Sequence, residues 1–504
     1  VAPVLVSKPR YRVKAGSASM AASAFDGGPS PTPPSHNAAS TGRRLAGWRP
    51  LGMGPNAIIA ASGPELVRRS RDLRRNNPLG KRAMDLASTH TVGMGIKPRS
   101  LCRNDRVREA LTEAFAEWVR VSDADGTLDF YGQQALAMDE VVEAGECFAR
   151  LRRRRVEDGL PVPFQVQILP AEMVPLDWSG NGISDIVQGI ERNGIGRRVA
   201  YWTYPRHPGE DTTNNVVMDM TPKPVAAADM CHVFHVARAG QQRGLPWLAS
   251  AMSILHQVAH YYDAELLRKQ MVASIVGFVK KTLTGGEDPA ELAAEWGRIK
   301  EGLGDLPTVS MEPGTMQYLD PGEDVSFSQP ADVGGSFEPF MAAGHRAVAA
   351  GAGVLYEELT GNWKDSNDRT FRAQFNTFKR QCRQWQWNLM CAQFNEPIWR
   401  RFVNYAVAFG VVKVPKSVTE ADLLRAEWRP ERWEYIHPKQ DIEAVSAEIA
   451  GGLTSRQAAV AERGDDVEVV DQQRRADMDR EDRLNLPAIG GAPAPDAPEP
   501  PPAN

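Results

Sequence analysis

The chain has 504 residues, 42% hydrophobic and 24% charged, with a formal net charge of −4. That length calls for two or more domains, and the balance is that of a globular protein; it excludes a generally basic nucleic-acid binder while leaving local basic faces open. No apolar run approaches the roughly 18 residues that would cross a bilayer, and no signal peptide is visible, so no membrane role is expected. Five scattered cysteines (Cys102, Cys147, Cys231, Cys382, Cys391) lack metal-ligand spacing and read as reduced thiols of a cytosolic environment.

In chain order, residues 1–45 form a Pro/Ser/Ala/Gly-rich arm carrying Lys8, Arg10, Arg12 and Lys14, expected to be disordered and read first as a solvated tail. A helix is expected from Gly63, with Arg68, Arg69, Arg71, Arg74 and Arg75 on it and Pro78 closing it. Such a basic face is read as solvated or paired with acidic neighbours. A second helix over 79–89 leads to Val92-Gly93-Met94-Gly95-Ile96. This Gly-x-Gly lacks a third Gly and the Lys-Ser/Thr of a phosphate loop, and runs into Pro98 where a nucleotide site needs a helix; it reads as a turn. Helices near 104–120 and 131–143 precede a strand at 146–151, and short apolar runs at 164–169, 186–190 and 199–204 complete a β-rich subdomain. Cys231-His232-Val233-Phe234-His235-Val236 invites a metal reading, but residues three apart on a strand point to opposite faces, so it reads as a core strand.

The stretch 244–353 organises the rest. From Pro246 a helix is expected to about 276, some 45 Å long at 1.5 Å per residue. Leu248, Met252, Leu255, Ala259, Tyr262 and Leu266 form its apolar stripe, with His260, Glu265 and Arg268 away from it. A small α/β knob follows, with a strand at 278–279, a helix at 288–301, strands at 308–311 and 316–319, and a Pro313-Gly314 turn. A second helix over 336–352 is rich in Ala and Gly, which implies close packing against a neighbouring backbone. A polar loop over 355–367 leads to a helix from about 368 to 396, in which Phe371, Phe375, Phe378, Cys382, Trp385 and Leu389 make a core seam. Arg369, Arg372, Lys379, Arg380 and Arg383 lie on another face, open to solvent, to an acidic neighbour subunit or to DNA. Pro397 is expected to kink or end the helix. Trp428, Trp433 and Tyr435 read as a final strand region; 438–486 reads as charged helices broken at Gly451-Gly452 and Gly464, and a Pro/Ala tail follows.

Several stretches together resemble one family, the phage portal proteins of the lambda type. They are Arg71-Asp-Leu-Arg-Arg-Asn-Asn77 with Val92–Ile96, Gly145-Glu146-Cys147-Phe148, Arg238-Ala-Gly-Gln-Gln-Arg-Gly-Leu-Pro-Trp247, Pro313-Gly-Thr-Met316 with Leu319-Asp-Pro-Gly-Glu323, Tyr356-Glu-Glu-Leu-Thr-Gly361, Trp433 with His437-Pro438, and Ala461-Glu-Arg-Gly-Asp465. The similarity spans about 45–485, departing at Ala239, where relatives often have Pro, and at Asn362-Trp363-Lys364, where an acidic residue often follows the Thr-Gly.

The resemblance implies a helix-rich α+β portal fold. Its expected parts are an arm at 1–45, a wing at 46–243, a stem helix at 244–277, a clip at 278–331, a second stem helix at 332–354, a tunnel loop at 355–369, a wing return at 370–437, a helical crown at 438–486 and a tail at 487–504. It also implies a ring, a dodecamer in the virion, at one capsid vertex, serving as the channel for double-stranded DNA in packaging and ejection. The implied partners are further copies of the chain, the terminase large subunit, head–tail adaptor proteins and the major capsid or scaffold protein, with assembly in the host cytoplasm. Asn362, Lys364, Asp365, Ser366, Asn367 and Arg369 are expected to face DNA. Lys280, Lys281, Glu287, Glu301, Pro313 and Gly314 are expected to lie where the clip docks terminase and adaptors. No Walker A motif and no convincing catalytic array is present, so neither catalysis nor a cofactor or metal is expected. The other readings are a DNA-binding scaffold without a channel and, further off, an enzyme.

Overall fold

The computed structural model describes residues 47–180, 185–210, 219–273, 277–281, 323–327, 337–364, 366–433 and 437–484. The expected arm and tail, the clip helix at 288–301, the strands at 308–311 and 316–319 with their Pro-Gly turn, and Tyr435 lie outside them.

The chain opens with α1 (Pro55–Asn76) and α2 (Pro78–Val92). Gly63 is therefore not a helix start. Pro55 takes the first turn, where its missing N–H costs nothing, and the helix runs on through Pro64. Gly63 is buried instead against Leu176, whose Cδ1 would lie 3.1 Å from an added Cβ. β1 (Lys97–Ser100), α3 (Asp105–Val119) and α4 (Phe130–Ala144) follow. Asn104 and Asp129 cap the two helices through their side chains. Two antiparallel sheets form the β-rich part. One has β2 (Glu146–Arg153) between β3 (Phe164–Leu169) and β8 (Met230–Phe234). The other runs β4 (Asp185–Val187), β5 (Ile190–Arg192), β6 (Arg198–Thr203), β7 (Lys223–Ala226).

The stretch expected to form a stem comes next. A 3₁₀ turn at Trp247–Ser250 precedes α5 (Met252–Ala273), so the helix starts later than Pro246. β9 (Gly277–Lys281) pairs antiparallel with β10 (Glu323–Phe327), and α6 (Phe337–Ala352) returns alongside α5. Added Cβ atoms at Gly344 and Gly351 would lie 2.8 Å from Val258 Cγ2 and 3.0 Å from Ala251 Cβ, so these small residues let α6 approach its own chain's α5. Leu248, Met252 and Leu255 are buried as the stripe requires. Further along, Val258 and Glu265 are the buried residues, whereas Tyr262 and Leu266 are exposed. Periodicity shows which face is apolar but not the line along which a single partner helix lies.

The segment 355–367 is not all loop. α7 (Tyr356–Thr360) occupies its first half, closed by Gly361. α8 (Asp368–Trp385) passes without a break into a π-helical segment, Gln386–Asn395, and α9 (Glu396–Ala408). Pro397 therefore sits in the first turn of α9 and ends nothing. The wider turns before it stand in for the i−4 bond it cannot make. The expected seam holds, with Phe378, Cys382, Trp385 and Leu389 all buried. The core beneath it is aromatic. Trp118 stacks on Phe164 at 5.4 Å, and Phe115, Phe130, Phe394, Trp399 and Phe402 pack around them.

α10 (Glu420–Leu423) leads to β11 (Ala426–Arg429), which pairs with β1 and closes the chain's return on its beginning. α11 (Pro438–Ala450), α12 (Arg456–Glu462) and α13 (Val467–Leu484) finish the described chain, with breaks at the expected glycines. Arg99 and Arg429 reach Asp466, and Arg108 reaches Glu468, docking these helices on the β1–β11 pair. All five cysteines are free and buried, and burial pushes Cys231, Cys382 and Cys391 up to about 12, so they behave as inert thiols.

Candidate functional site

The loop expected to meet DNA is short and built on two helix ends. Gly361 closes α7, and the Asn367 side chain caps α8 by accepting from the Arg369 N–H at 3.0 Å. Between them, the Asn362 side chain accepts from the Lys364 N–H at 3.1 Å, and the Ser366 N–H donates to the Trp363 carbonyl at 3.1 Å. Trp363 packs edge-on to Phe371, ring centroids 5.0 Å apart, tying the loop to α8. On the α7 side, Glu358 meets His90 Nε2 at 3.0 Å, while Arg82 donates to the Glu358 carbonyl. Asn362, Lys364, Ser366, Asn367 and Arg369 are thus brought together and exposed. Lys364 and Arg369 make no ion pair among the described residues, which leaves two cations available to an outside anion. Asp365 lies outside the described residues.

The expected clip positions stand elsewhere. Lys281 is opposite Glu323 and Lys280 opposite Asp324 in the β9–β10 register. Glu287, Glu301, Pro313 and Gly314 lie outside the described residues.

Sequence reasoning missed the buried knot that fixes the segment before α5 to β2. Arg243 is 0% exposed and donates to Glu146 through Nε at 2.8 Å and Nη2 at 2.6 Å. Its remaining N–H groups go to the carbonyls of Gln188 at 2.6 Å and Val174 at 2.9 Å. Glu146 also accepts from the Gly244 N–H and from His232 Nε2, both at 2.9 Å. His232 Nδ1 lies 3.3 Å from Arg198 Nη1, which fixes the neutral tautomer. Burial opposes ionisation of Glu146, but Arg243 and His232 win and hold its carboxyl at about 2. Burial is the larger effect on His232 and lowers it to about 4. Buried, and with both carboxylate oxygens of Glu146 accepting hydrogen bonds, the arrangement ties three segments of the chain together. Gly145 sits at φ +93°, and a Cβ on it or on Gly244 would collide with the facing backbone. The signal available in the sequence was the pair of stretches Gly145–Phe148 and Arg238–Trp247, whose meeting could not be seen from either alone.

Two other motif stretches resolve in the same way. Arg71 forms ion pairs with Glu140, Glu143 and Glu172, and Arg74 with Asp85, Asp139 and Glu143, so the inner part of the basic α1 face is matched by α4. The Met94 N–H donates to Glu431 at 2.8 Å, so the Gly93–Gly95 turn already holds a carboxylate from its own chain. His232 and His235 do not converge, since His232 is buried in the knot and His235 is exposed beyond the strand. Among the described residues, no group of three or more His, Cys, Asp or Glu could hold a metal ion, and no helix is long and apolar enough to cross a membrane.

Comparison with known families decides what these interlocks belong to. The model of the phage portal protein, lambda family, matches residues 41–386. The chain belongs to that family. It is 24% identical over 451 residues to the probable portal protein of Halomonas phage phiHAP-1, covering 85% of this chain and 83% of that one. It is 22% identical over 488 residues to portal protein B of Escherichia phage lambda, covering 87% and 88%. Among solved structures it is similar to a chain in the neck of a native GTA particle, with TM-score 0.45 and 14% identity over 81% of this chain and 98% of that one. In this portal-family chain, the interlocks above join β2 to the segment before α5 at Glu146–Arg243, and the β1–β11 pair and α3 to the C-terminal helices at Arg99, Arg108 and Arg429.

Proposed function

We propose that twelve copies of this portal protein close into a ring at one capsid vertex, through which double-stranded DNA is packaged and later ejected. The protein acts mechanically; the terminase large subunit supplies ATP hydrolysis. The segment 278–331 forms the clip that docks terminase and afterwards the head–tail adaptors, and the outer wing contacts the major capsid or scaffold protein. Asn362, Lys364, Asp365, Ser366, Asn367 and Arg369 face the passing DNA.

The observation that carries this reading is the outer half of the stem. Tyr262, Leu266 and Leu267 on α5 and Phe340 on α6 are 50%, 46%, 57% and 54% exposed. Large apolar residues repeated along a projecting helix pair are costly in water and call for a partner. A head-to-tail contact between copies covers them and closes into a ring. The small, mixed-charge loop suits a channel that must pass DNA without gripping it, because each neutralised phosphate adds affinity.

End-on electron micrographs of the purified protein test the reading. Class averages should show closed rings with a central hole. A chain that sediments as a compact monomer at high concentration overturns it. Steep, salt-dependent binding of free DNA by single subunits would favour the scaffold alternative instead.

A further inference from the structure

We infer that the junction of α8 with α11 and α12 is a binding site for a phosphate group. A cavity of about 180 Å³ lies there, lined by Lys379 and Arg383 of α8, Arg432 and Trp433 after β11, Glu448 of α11, Thr454, Glu462 of α12 and Arg463. Four cations thus face two carboxylates. Arg383 and Glu462 satisfy one another across the rim at 2.9 Å, both well exposed. Arg432 and Arg463 have contacts of their own.

Lys379 is the group that lacks a counter-charge. Its ammonium stands 4.7 Å from the Phe375 ring centre and 5.6 Å from that of Trp433, and it makes no ion pair among the described residues. Asp441 and Glu462 act on it only at longer range, while burial and the nearby Arg383 both push its pKa down. Two helical turns earlier on the same face, Arg372 buries Nε and Nη2 without an acceptor. Positive charge is therefore gathered, partly desolvated and incompletely answered along this side of α8, which is the setting in which a bound anion gains most.

The geometry favours phosphate over a planar carboxylate. The cations lining the cavity come from three separate segments, and Thr454 lines it as well. A tetrahedral, multiply charged oxyanion can accept from all of them, and guanidinium forks match its edges. A bound phosphate would staple α11 and α12 to α8 and so couple the C-terminal helices to the wing. The chemistry is shared by a free phosphate or pyrophosphate and by the backbone of DNA. It does not depend on ring formation.

Isothermal titration calorimetry on the full chain separates these cases, using sodium pyrophosphate in one arm and a short DNA duplex in the other, at constant ionic strength. Lys379→Gln is compared with wild type, and Lys413→Gln, at an exposed lysine that does not line the cavity, serves as the control. Saturable pyrophosphate binding, one per subunit, weakened about tenfold or more in Lys379→Gln but unchanged in the control, supports a site for the free anion; the size follows from losing one charged hydrogen bond. Duplex binding alone, weakened by Lys379→Gln, supports the site with DNA as its source. If Lys379→Gln does not fold, Arg432→Gln, at an exposed position, carries the same comparison. Equal binding by wild type and variant in both arms overturns the proposal. So does a variant that binds both probes normally but fails to assemble, since a neighbouring subunit's carboxylate would then be the partner of Lys379.

Discussion

At the scale of single residues, the Glu146–Arg243–His232 knot sets how the β-rich part responds to mutation and to acid. Arg243→Ala leaves a carboxylate buried and unpaired, a loss of roughly 3–5 kcal/mol of stability that urea denaturation should register. The pH dependence has the same origin. His232 binds its proton near 6.5 when unfolded but only near 4 in the fold, so the unfolded state takes up the proton first as pH drops. Glu146 shows the same order at lower pH, from 4.5 down to about 2. Stability contributed by the pair is complete above about pH 6.5, declines as pH falls towards 4, and declines further towards 2. The denaturation midpoint of wild type should therefore drop between pH 7 and 4. In His232→Gln, which keeps a donor towards Glu146 but cannot titrate, that part of the profile should flatten; an unchanged slope would assign the acid sensitivity to other groups.

At the scale of elements, α5 and α6 depend on meeting over glycine. Gly344→Val places methyl groups where Val258 already stands, and overpacking of this kind costs about 1–3 kcal/mol. The expected result is a lower thermal midpoint with the wing knot intact, read as unchanged protection of β2 and β8 amides in hydrogen exchange. The loop after α7 makes a separate prediction. Changing Asp365 and Asp368 to Lys adds positive charge beside Lys364 and Arg369. If the loop faces DNA, DNA packaged per particle should fall most at low salt and recover as salt is raised. Equal packaging at every salt concentration places the loop away from DNA.

At the scale of the whole molecule, the single chain leaves Tyr262, Leu266 and Leu267 of α5 and Phe340 of α6 uncovered, and the proposed ring must answer for them. Leu266→Glu with Leu267→Glu changes two exposed positions, so the folded subunit should keep its stability within about 0.5 kcal/mol. Ring formation should be lost, because charge would then be buried between copies. Sedimentation velocity distinguishes the outcomes, and rings that persist in the double variant would move the subunit contact elsewhere.

The sequence by itself determined the elements whose signals are local. The α8 seam, the helices α5 and α6, the antiparallel β-rich part and the breaks at Gly451-Gly452 and Gly464 follow from periodicity and turn chemistry, which depend on neighbours a few residues away. The motif stretches also sufficed for the family. Only the tertiary structure decided what those motifs do, because Glu146 and Arg243 meet across 97 residues, and the Gly93–Gly95 turn and Glu431 across 337. It also decided that helix α1 begins at Pro55, that Pro397 lies within a continuing helix, and that Glu265 is buried while Leu266 is exposed. In each of these the outcome depended on which neighbour arrived and from which side, and periodicity along one segment contains no information about that.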